Sequence, residues 1–298
     1  MLISVIIPTY NPNIPRLNSC IQGIINQSII NWECIIVNNN STKPFESEII
    51  KHTQIKIVKQ PEQGLTFARL KGIEEAKHNI IIMVDDDNIL DSHYLENCLK
   101  IFETHPKLGA IGGKSLPLFE KQPPAYLKEF YGLLALRNMG DEIKIESFEN
   151  KYPKYAPIGA GMAFRKTAIE KYIHKTTAGQ FVISDRKGNS LSSSGDNDMV
   201  LEILKAGWQI GYFPQLSLQH IIPESRMTVN YLSHLNFGIQ KSWIQFLRSH
   251  NLSPWKTISP LSVPFRKFKA WFSYKVWQND INYIKWKGAC GMFEGLER

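Results

Sequence analysis

A chain of 298 residues with 43% hydrophobic and 21% charged side chains has ordinary globular composition, enough for one large domain with an appendage. That balance excludes disordered, collagen-like and coiled-coil classes, and no apolar run approaches the roughly 18–20 residues that a membrane-spanning helix needs. The net charge of +8, from 35 basic and 27 acidic residues, favours an anionic partner without naming it.

The first residues, MLISVIIPTYN, have no basic leader and no small-residue cleavage site, so the expected setting is the cytosol. ISVIIPTYN (3–11) predicts a buried strand ending at Pro8. After it, Ile14, Leu17, Ile21, Ile24 and Ile25 stand at helical spacing. WECIIVNNN and QIKIVKQ predict the second and third strands, and LTFARLKGIEEAK, behind Gly64, a helix. NIIIMV is a fourth strand, and Asp91 reads as the N-cap of a helix over SHYLENCLKIFETH. LGAIGG gives a fifth, short strand.

Residues 115–155 lose this regularity and hold Pro117, Pro123, Pro124 and Pro153, which predicts a long connection or lid. PIGAGMAFRKTAIEKYI reads as a strand entering a helix, and residues 175–195 as a polar loop. DNDMVLEILKAGW predicts a helix closed near Gly207, and QIGYFPQLSLQH one or two short strands. From about residue 223 the pattern is helical and rich in Trp, Lys and Arg. Alternating strands and helices predict an α/β fold with a mainly parallel central sheet over residues 1–222, and a helical, basic-aromatic extension over 223–298. Unbroken apolar strands suit a sheet covered on both faces.

Ligands of an open parallel sheet bind beyond the carboxyl ends of its strands. Three polar clusters fall there: Thr9-Tyr10-Asn11, Asn38-Asn39-Asn40-Ser41 and Asp85-Asp86-Asp87. The turn after the first strand, PTYNPN, has no glycine, and no phosphate-cradling glycine loop occurs elsewhere. A divalent cation held by aspartate is another way to neutralise a pyrophosphate, and oxygen ligands favour magnesium or manganese over zinc. The plainer reading of the triplet is a solvated turn leading into the next helix. Cys20, Cys34, Cys98 and Cys290 are scattered, without a Cys-x-x-Cys pair, so a zinc site or disulfide framework is not expected.

SVIIPTYN, ECIIVNNNST, GLTFARLKGIEEA, NIIIMVDDDN, PIGAGMAFRK and SGDNDMVLEILKAGWQIGY with a following His occur here in one order. Together they resemble the family 2 glycosyltransferases of the GT-A fold, over roughly residues 2–222. The resemblance implies an inverting, hexosyltransferase-type enzyme with a nucleotide-sugar donor, usually a UDP-sugar, and Mg2+ or Mn2+. It implies work in bacterial surface polysaccharide or glycan assembly, on a saccharide or lipid-linked saccharide. Carried over, Pro8, Thr9, Tyr10 and Asn38 hold base and ribose, and Arg69 lies near the phosphates or sugar. Asp85 and Asp86 face ribose and sugar, Asp87 and His220 take the metal, and Gly159, Gly161 and Met162 line the acceptor side. Asp196 is the implied catalytic base, with Asp198 as fallback: an attacking hydroxyl must lose a proton as the nucleotide departs. Asp196 as a simple helix cap remains the bland alternative. Asn38, Lys43, Asn88 and Asn197 stand where many members carry acids, so base selectivity is less certain.

Two further functional readings stay open: transfer directly to a polyprenyl phosphate, which needs no strong base, and an inactive nucleotide-sugar-binding subunit. The stretch FRKFKAWFSYKVW has three readings of its own. It packs onto the catalytic domain, it meets an anionic membrane at the inner face of the plasma membrane, or it binds single-stranded nucleic acid. The last rests on charge and aromatics alone, and no nucleic-acid partner is expected.

Overall fold

The computed structural model describes residues 2–43, 47–178 and 195–298. Most of the expected loop at 175–195 therefore lies outside the described residues. The chain divides into two compact units. The first comprises described residues up to Leu118, those from Ala135 to 178, and Asp196–Ile221; the second comprises Phe119–Leu134, Gly195 and Ile222–Arg298.

The first unit opens with β1 (Ile3–Thr9), α1 (Ile14–Ile25), β2 (Trp32–Asn38), β3 (Ile55–Lys59), α2 (Leu65–Glu75) and β4 (Ile80–Met83). β5 (Asn88–Leu90), α3 (Tyr94–Thr104), β6 (Leu108–Phe119), β7 (Lys144–Glu146) and β8 (Ala163–Arg165) follow. α4 (Glu170–Thr177), α5 (Gly195–Lys205) and β9 (Gln209–Ile222) complete the series. Among the described residues these strands form one sheet in the order β3-β2-β1-β4-β8-β6-β9-β5, with β7 paired to β9.

Alternation along β1 explains why the sheet is covered twice. Ile3, Val5 and Ile7 face one core with Leu17, Ile21 and Ile24 of α1 and Leu95 and Phe102 of α3. Ile6 faces the other with Ala68 and Ile73 of α2 and Val200 and Ile203 of α5. Parallel pairing holds for β3-β2-β1-β4. Beyond β4 the sheet turns antiparallel at β8, and β5 and β7 also run antiparallel to β9. The mainly parallel sheet expected from the sequence is thus limited to that half, where helices return the chain in the same direction. β8 arrives after a long excursion and enters from the opposite end.

Three expectations are corrected in detail. Residues 115–119 continue β6 rather than starting a loop, and the stretch QIGYFPQLSLQH lies in one 14-residue strand. Asp91 is not the N-cap residue: α3 starts at Tyr94, and the Asp91 carboxylate accepts from the His93 N–H at 3.0 Å, one step earlier.

In the second unit, 3-10 turns over Ala125–Leu134 precede α6 (Val229–Ser249), α7 (Val263–Ser273) and α8 (Asp280–Gly295). α8 turns Gly288, Gly291 and Gly295 toward α6, where any β-carbon would collide with Asn236, the Phe237 carbonyl or Ile244. This glycine face lets the helices approach closely. Asn236 Nδ2 then donates across the gap to the Ile284 carbonyl at 2.9 Å. Glu294 clamps the bundle by pairing with Lys241 at 2.8 Å and Lys267 at 2.7 Å. No helix among the described residues is long and apolar enough to cross a membrane.

Candidate active site

Register brings the polar clusters to one edge. Thr9 pairs with Asn38, and Asn38 with Lys59, so β1, β2 and β3 end level with one another. Asn39 fastens that edge. Its backbone N–H donates to the Thr9 carbonyl at 2.9 Å, its amide donates to the Gln60 and Glu62 carbonyls at 3.3 and 2.7 Å, and its carbonyl oxygen accepts from Gly64 at 2.7 Å. Gly64 has φ 146°, a conformation open to glycine, and it starts α2. One buried amide therefore fixes two strand ends and the helix that carries Arg69.

The aspartate triplet fills the turn between β4 and β5, closed by the Asn88 N–H on the Asp85 carbonyl at 3.0 Å. Its members have different partners. Asp86 accepts from the Thr9 hydroxyl, which joins the triplet to the end of β1. Asp87, only 5% exposed, has Oδ1 at 3.2 Å from the Asn88 amide and 3.4 Å from His220 Nε2. His220 reaches it because β9 pairs antiparallel with β5, Asn88 against His220, and the Ile221 N–H donates to the Asp87 carbonyl at 2.9 Å. Asn88 Oδ1 is buried with no hydrogen-bond partner among the described residues. A buried carboxylate beside an imidazole, with a buried amide on the next residue, suits a divalent cation with hard or borderline preferences. The triplet's field also reaches Cys20: burial, then Cys34 and the three aspartates, push its thiol well above the usual range. All four cysteines are free and buried, so none is placed as a nucleophile.

A second cluster forms where α2, the 159–161 turn and α5 meet. A β-carbon on Gly159 would lie 2.5 Å from Arg69 Nη2 and 3.3 Å from Asp196 Oδ2. Only glycine leaves room for this guanidinium and carboxylate to converge. Asp196 lies in the first turn of α5 and accepts from the N–H groups of Gly159 at 2.9 Å and Asn197 at 3.0 Å. Beside it the Tyr152 hydroxyl donates to Asn197 Oδ1 at 2.8 Å. Burial, reinforced by Asp196, raises that phenol well above its ordinary value, so it stays a donor. Asp198 points elsewhere: it pairs with Lys175 at 3.0 Å, and Lys175 also holds Glu202 at 3.0 Å.

The sequence pattern of the glycosyl transferase family 2 matches residues 4–173, more than half of the chain. The chain is a family 2 glycosyltransferase. It is 21% identical over 250 residues to the glucosyl-dolichyl phosphate glucuronosyltransferase of Haloferax volcanii, a match covering 80% of this chain and 74% of that one. It is 35% identical over 125 residues to the minor teichoic acid biosynthesis protein GgaB of Bacillus subtilis, covering 39% of this chain but 13% of that much longer protein. The fold is shared with the solved S. aureus TarS fragment 1–349 in complex with UDP, at TM-score 0.56 and 12% identity over 98% of this chain and 89% of that one.

The glycosyltransferase's site departs from the expected residue set on its acceptor side. Met162 is wholly buried in the core under α2 and α5, so its side chain lines no acceptor groove. Gly161 is likewise enclosed, with φ 79°, its carbonyl accepting from the buried Tyr94 hydroxyl at 2.6 Å and Leu218 closing the other side. Its glycine serves the turn rather than a sugar. Gly159 alone of the three stands beside charged groups. At the donor edge Pro8 is buried inside β1 and Thr9 is 4% exposed, whereas Tyr10 is 44% exposed. Asn38 spends its side-chain oxygen on the Ser41 N–H at 2.9 Å. Neither the fastening role of Asn39 nor the place of Tyr152 is legible in the sequence. Asn39 was indistinguishable from its neighbours in NNN, and Tyr152 lay in a stretch read as a loop.

Proposed function

We propose that this glycosyltransferase is an inverting, metal-dependent enzyme that moves one sugar from a nucleotide-sugar, UDP-linked before others, to a saccharide in bacterial surface glycan assembly. The observation that carries the reading is the pairing of two acidic sites in one unit: Asp87 with His220, and Asp196 with Arg69 at Gly159. Asp87 and His220 would hold Mg2+ or Mn2+, whose charge would offset that of a departing diphosphate. Thr9, Tyr10 and Asn38, at the ends of β1 and β2, would bind base and ribose. Asp85 and Asp86 would face ribose and sugar, with Asp86 oriented by the Thr9 hydroxyl. Arg69, 5% exposed, would bring a fixed cation to the phosphates or sugar.

The chemistry left to the chain is a proton transfer. As the acceptor oxygen bonds to the anomeric carbon, the bond to phosphate breaks and its electron pair leaves with the nucleotide. The acceptor's proton passes to Asp196, whose carboxylate is aimed by two backbone N–H groups. Asp198 is the weaker candidate because its carboxylate is already engaged by Lys175. The UDP bound to TarS supports the choice of nucleotide. The name of the Haloferax volcanii relative, which includes a glucosyl-dolichyl phosphate, supports a lipid-linked saccharide acceptor. Such an acceptor would set the work at the inner face of the plasma membrane.

A panel of nucleotide-sugars assayed for nucleoside diphosphate release, with and without chelator, tests the reading. Release that needs Mg2+ or Mn2+ and collapses in Asp87→Ala supports it. Release indifferent to chelation and to Asp87→Ala overturns the metal assignment. Binding of UDP without any turnover identifies a binding subunit instead. The runner-up acceptor is a free polyprenyl phosphate. Asp196→Asn separates the two, because a phosphate acceptor is already ionised and its transfer would survive the change.

A further inference from the structure

α7 carries apolar side chains on two sides, and only one is used within its unit. On the packed side Val263 and Ala270 are buried, and Trp271 meets Trp286 edge-on with ring centres 4.9 Å apart. Trp286 Nε1 donates to the Lys267 carbonyl at 3.0 Å, which fixes α7 against α8. On the other side Phe265, Phe268 and Phe272 follow one another at spacings of three and four, so they share a stripe. They are 70%, 63% and 53% exposed. Trp277, just past the helix, is 59% exposed, and Leu261, just before it, 92%. Phe268 and Phe272 lie 5.1 Å apart and Phe272 and Trp277 5.8 Å, so the rings form one connected surface.

The charges of this stretch have one sign. From Leu252 to Asn279 the sequence contains no Asp or Glu, against Lys256, Arg266, Lys267, Lys269 and Lys275. Lys267 is taken by Glu294, while Lys256, Arg266, Lys269 and Lys275 are exposed. A soluble surface rarely leaves so many large aromatics in water. A second copy of the chain is a poor cover, because a two-fold contact through this face would set each copy's cations against the same cations of the other. A surface that is apolar inside and anionic at its rim matches both features.

We propose that the α7 face is a docking surface for an anionic lipid bilayer. Phe265, Phe268, Phe272 and Trp277 enter the boundary between headgroups and acyl chains, and Arg266, Lys269 and Lys275 meet lipid phosphates. The inference gives the membrane setting proposed above a physical basis and rests on that setting, but its test needs no turnover, so the two readings fail separately.

The test is sedimentation of the full chain with vesicles of phosphatidylcholine alone or with added phosphatidylglycerol. Binding is expected to the anionic vesicles, weak to the neutral ones, and to fall with salt. Each of Arg266→Gln, Lys269→Gln and Lys275→Gln should weaken it by about fivefold. The double change Phe265→Ser with Phe268→Ser should weaken it by at least tenfold. Unchanged circular dichroism shows that these exposed substitutions leave the fold intact. The proposal is overturned if the anionic vesicles bind no chain, or if binding survives both sets of changes. Dimerisation lost in the Phe variants, without vesicle binding, assigns the face to a second copy. Oligonucleotide retention without vesicle binding assigns it to nucleic acid.

Discussion

Two short acidic stretches, Asp85–Asp86–Asp87 and Asp196–Asn197–Asp198, look alike on paper and are built differently. In both, sequence neighbours are sent to different partners. Asp86 meets a hydroxyl and Asp87 an imidazole and an amide. Asp196 meets two backbone N–H groups, and Asp198 a lysine. On the function proposed above, the difference is one of positioning. Lys175 holds Asp198 in a direct ion pair shared with Glu202. Asp196 is oriented by two backbone N–H groups, with the Arg69 guanidinium close by at Gly159.

The contrast can be broken most sharply at the proposed base. Asp196→Asn should keep the helix start and the fold but lower turnover on a hydroxyl acceptor by about 10²–10⁴-fold, read from kcat at saturating donor. If turnover stays, Asp196 is only a cap. Asp87→Ala should cost on the order of 10²–10³-fold, and added Mn2+ should not restore it. Gly159→Ala sharpens the comparison without replacing an acid. Its methyl group meets the end of the Arg69 side chain, so the melting temperature should barely move while kcat/KM falls by about 10²-fold. An equal loss of stability would mean that the crowding is with the scaffold instead.

The smallest effect on chemistry is expected at Lys175. Lys175→Met strands two mostly buried carboxylates and should cost about 2–4 kcal/mol in denaturant unfolding, with turnover of the folded fraction near normal. Burial lowers the Lys175 pKa, but hydrogen bonds to Asp198 and Glu202 outweigh it and the net shift is upward. A raised value means that its stabilisation is complete below the ordinary lysine value of 10.5 and is lost as pH rises through the shifted one. Parallel alkaline unfolding profiles of the native chain and Lys175→Met would contradict this.

Strand ends and the triplet were legible because a buried apolar run that stops at polar residues carries its own signal. What was hidden depends on contacts distant in sequence. Nothing in NNN says that Asn39 is the buried fastener and Asn40 the exposed member of the turn. Gly161 and Met162 carry the same small-and-apolar signature whether they line a groove or fill a core, and only Tyr94, Leu218 and α5 decide it. Over 125–134 the buried Leu127, Phe130 and Leu134 stand three and four apart, a spacing shared with an α-helix, yet the segment forms 3-10 turns, so the apolar spacing alone does not identify it.

β9 has a consequence for how such a chain can change length. Along its last stretch Leu216, Leu218 and His220 are buried while Gln219 is exposed, the two-residue rhythm of a strand. His220 stands opposite Asn88 only in that rhythm. Deleting or adding a single residue between Leu216 and His220 would present Ile221 or Gln219 at that rung and swing the imidazole to the opposite side. The strand thus works as a ruler, with Asp87 at one graduation. Whole loops elsewhere can grow or shrink by insertion, whereas here the tolerated increment is zero.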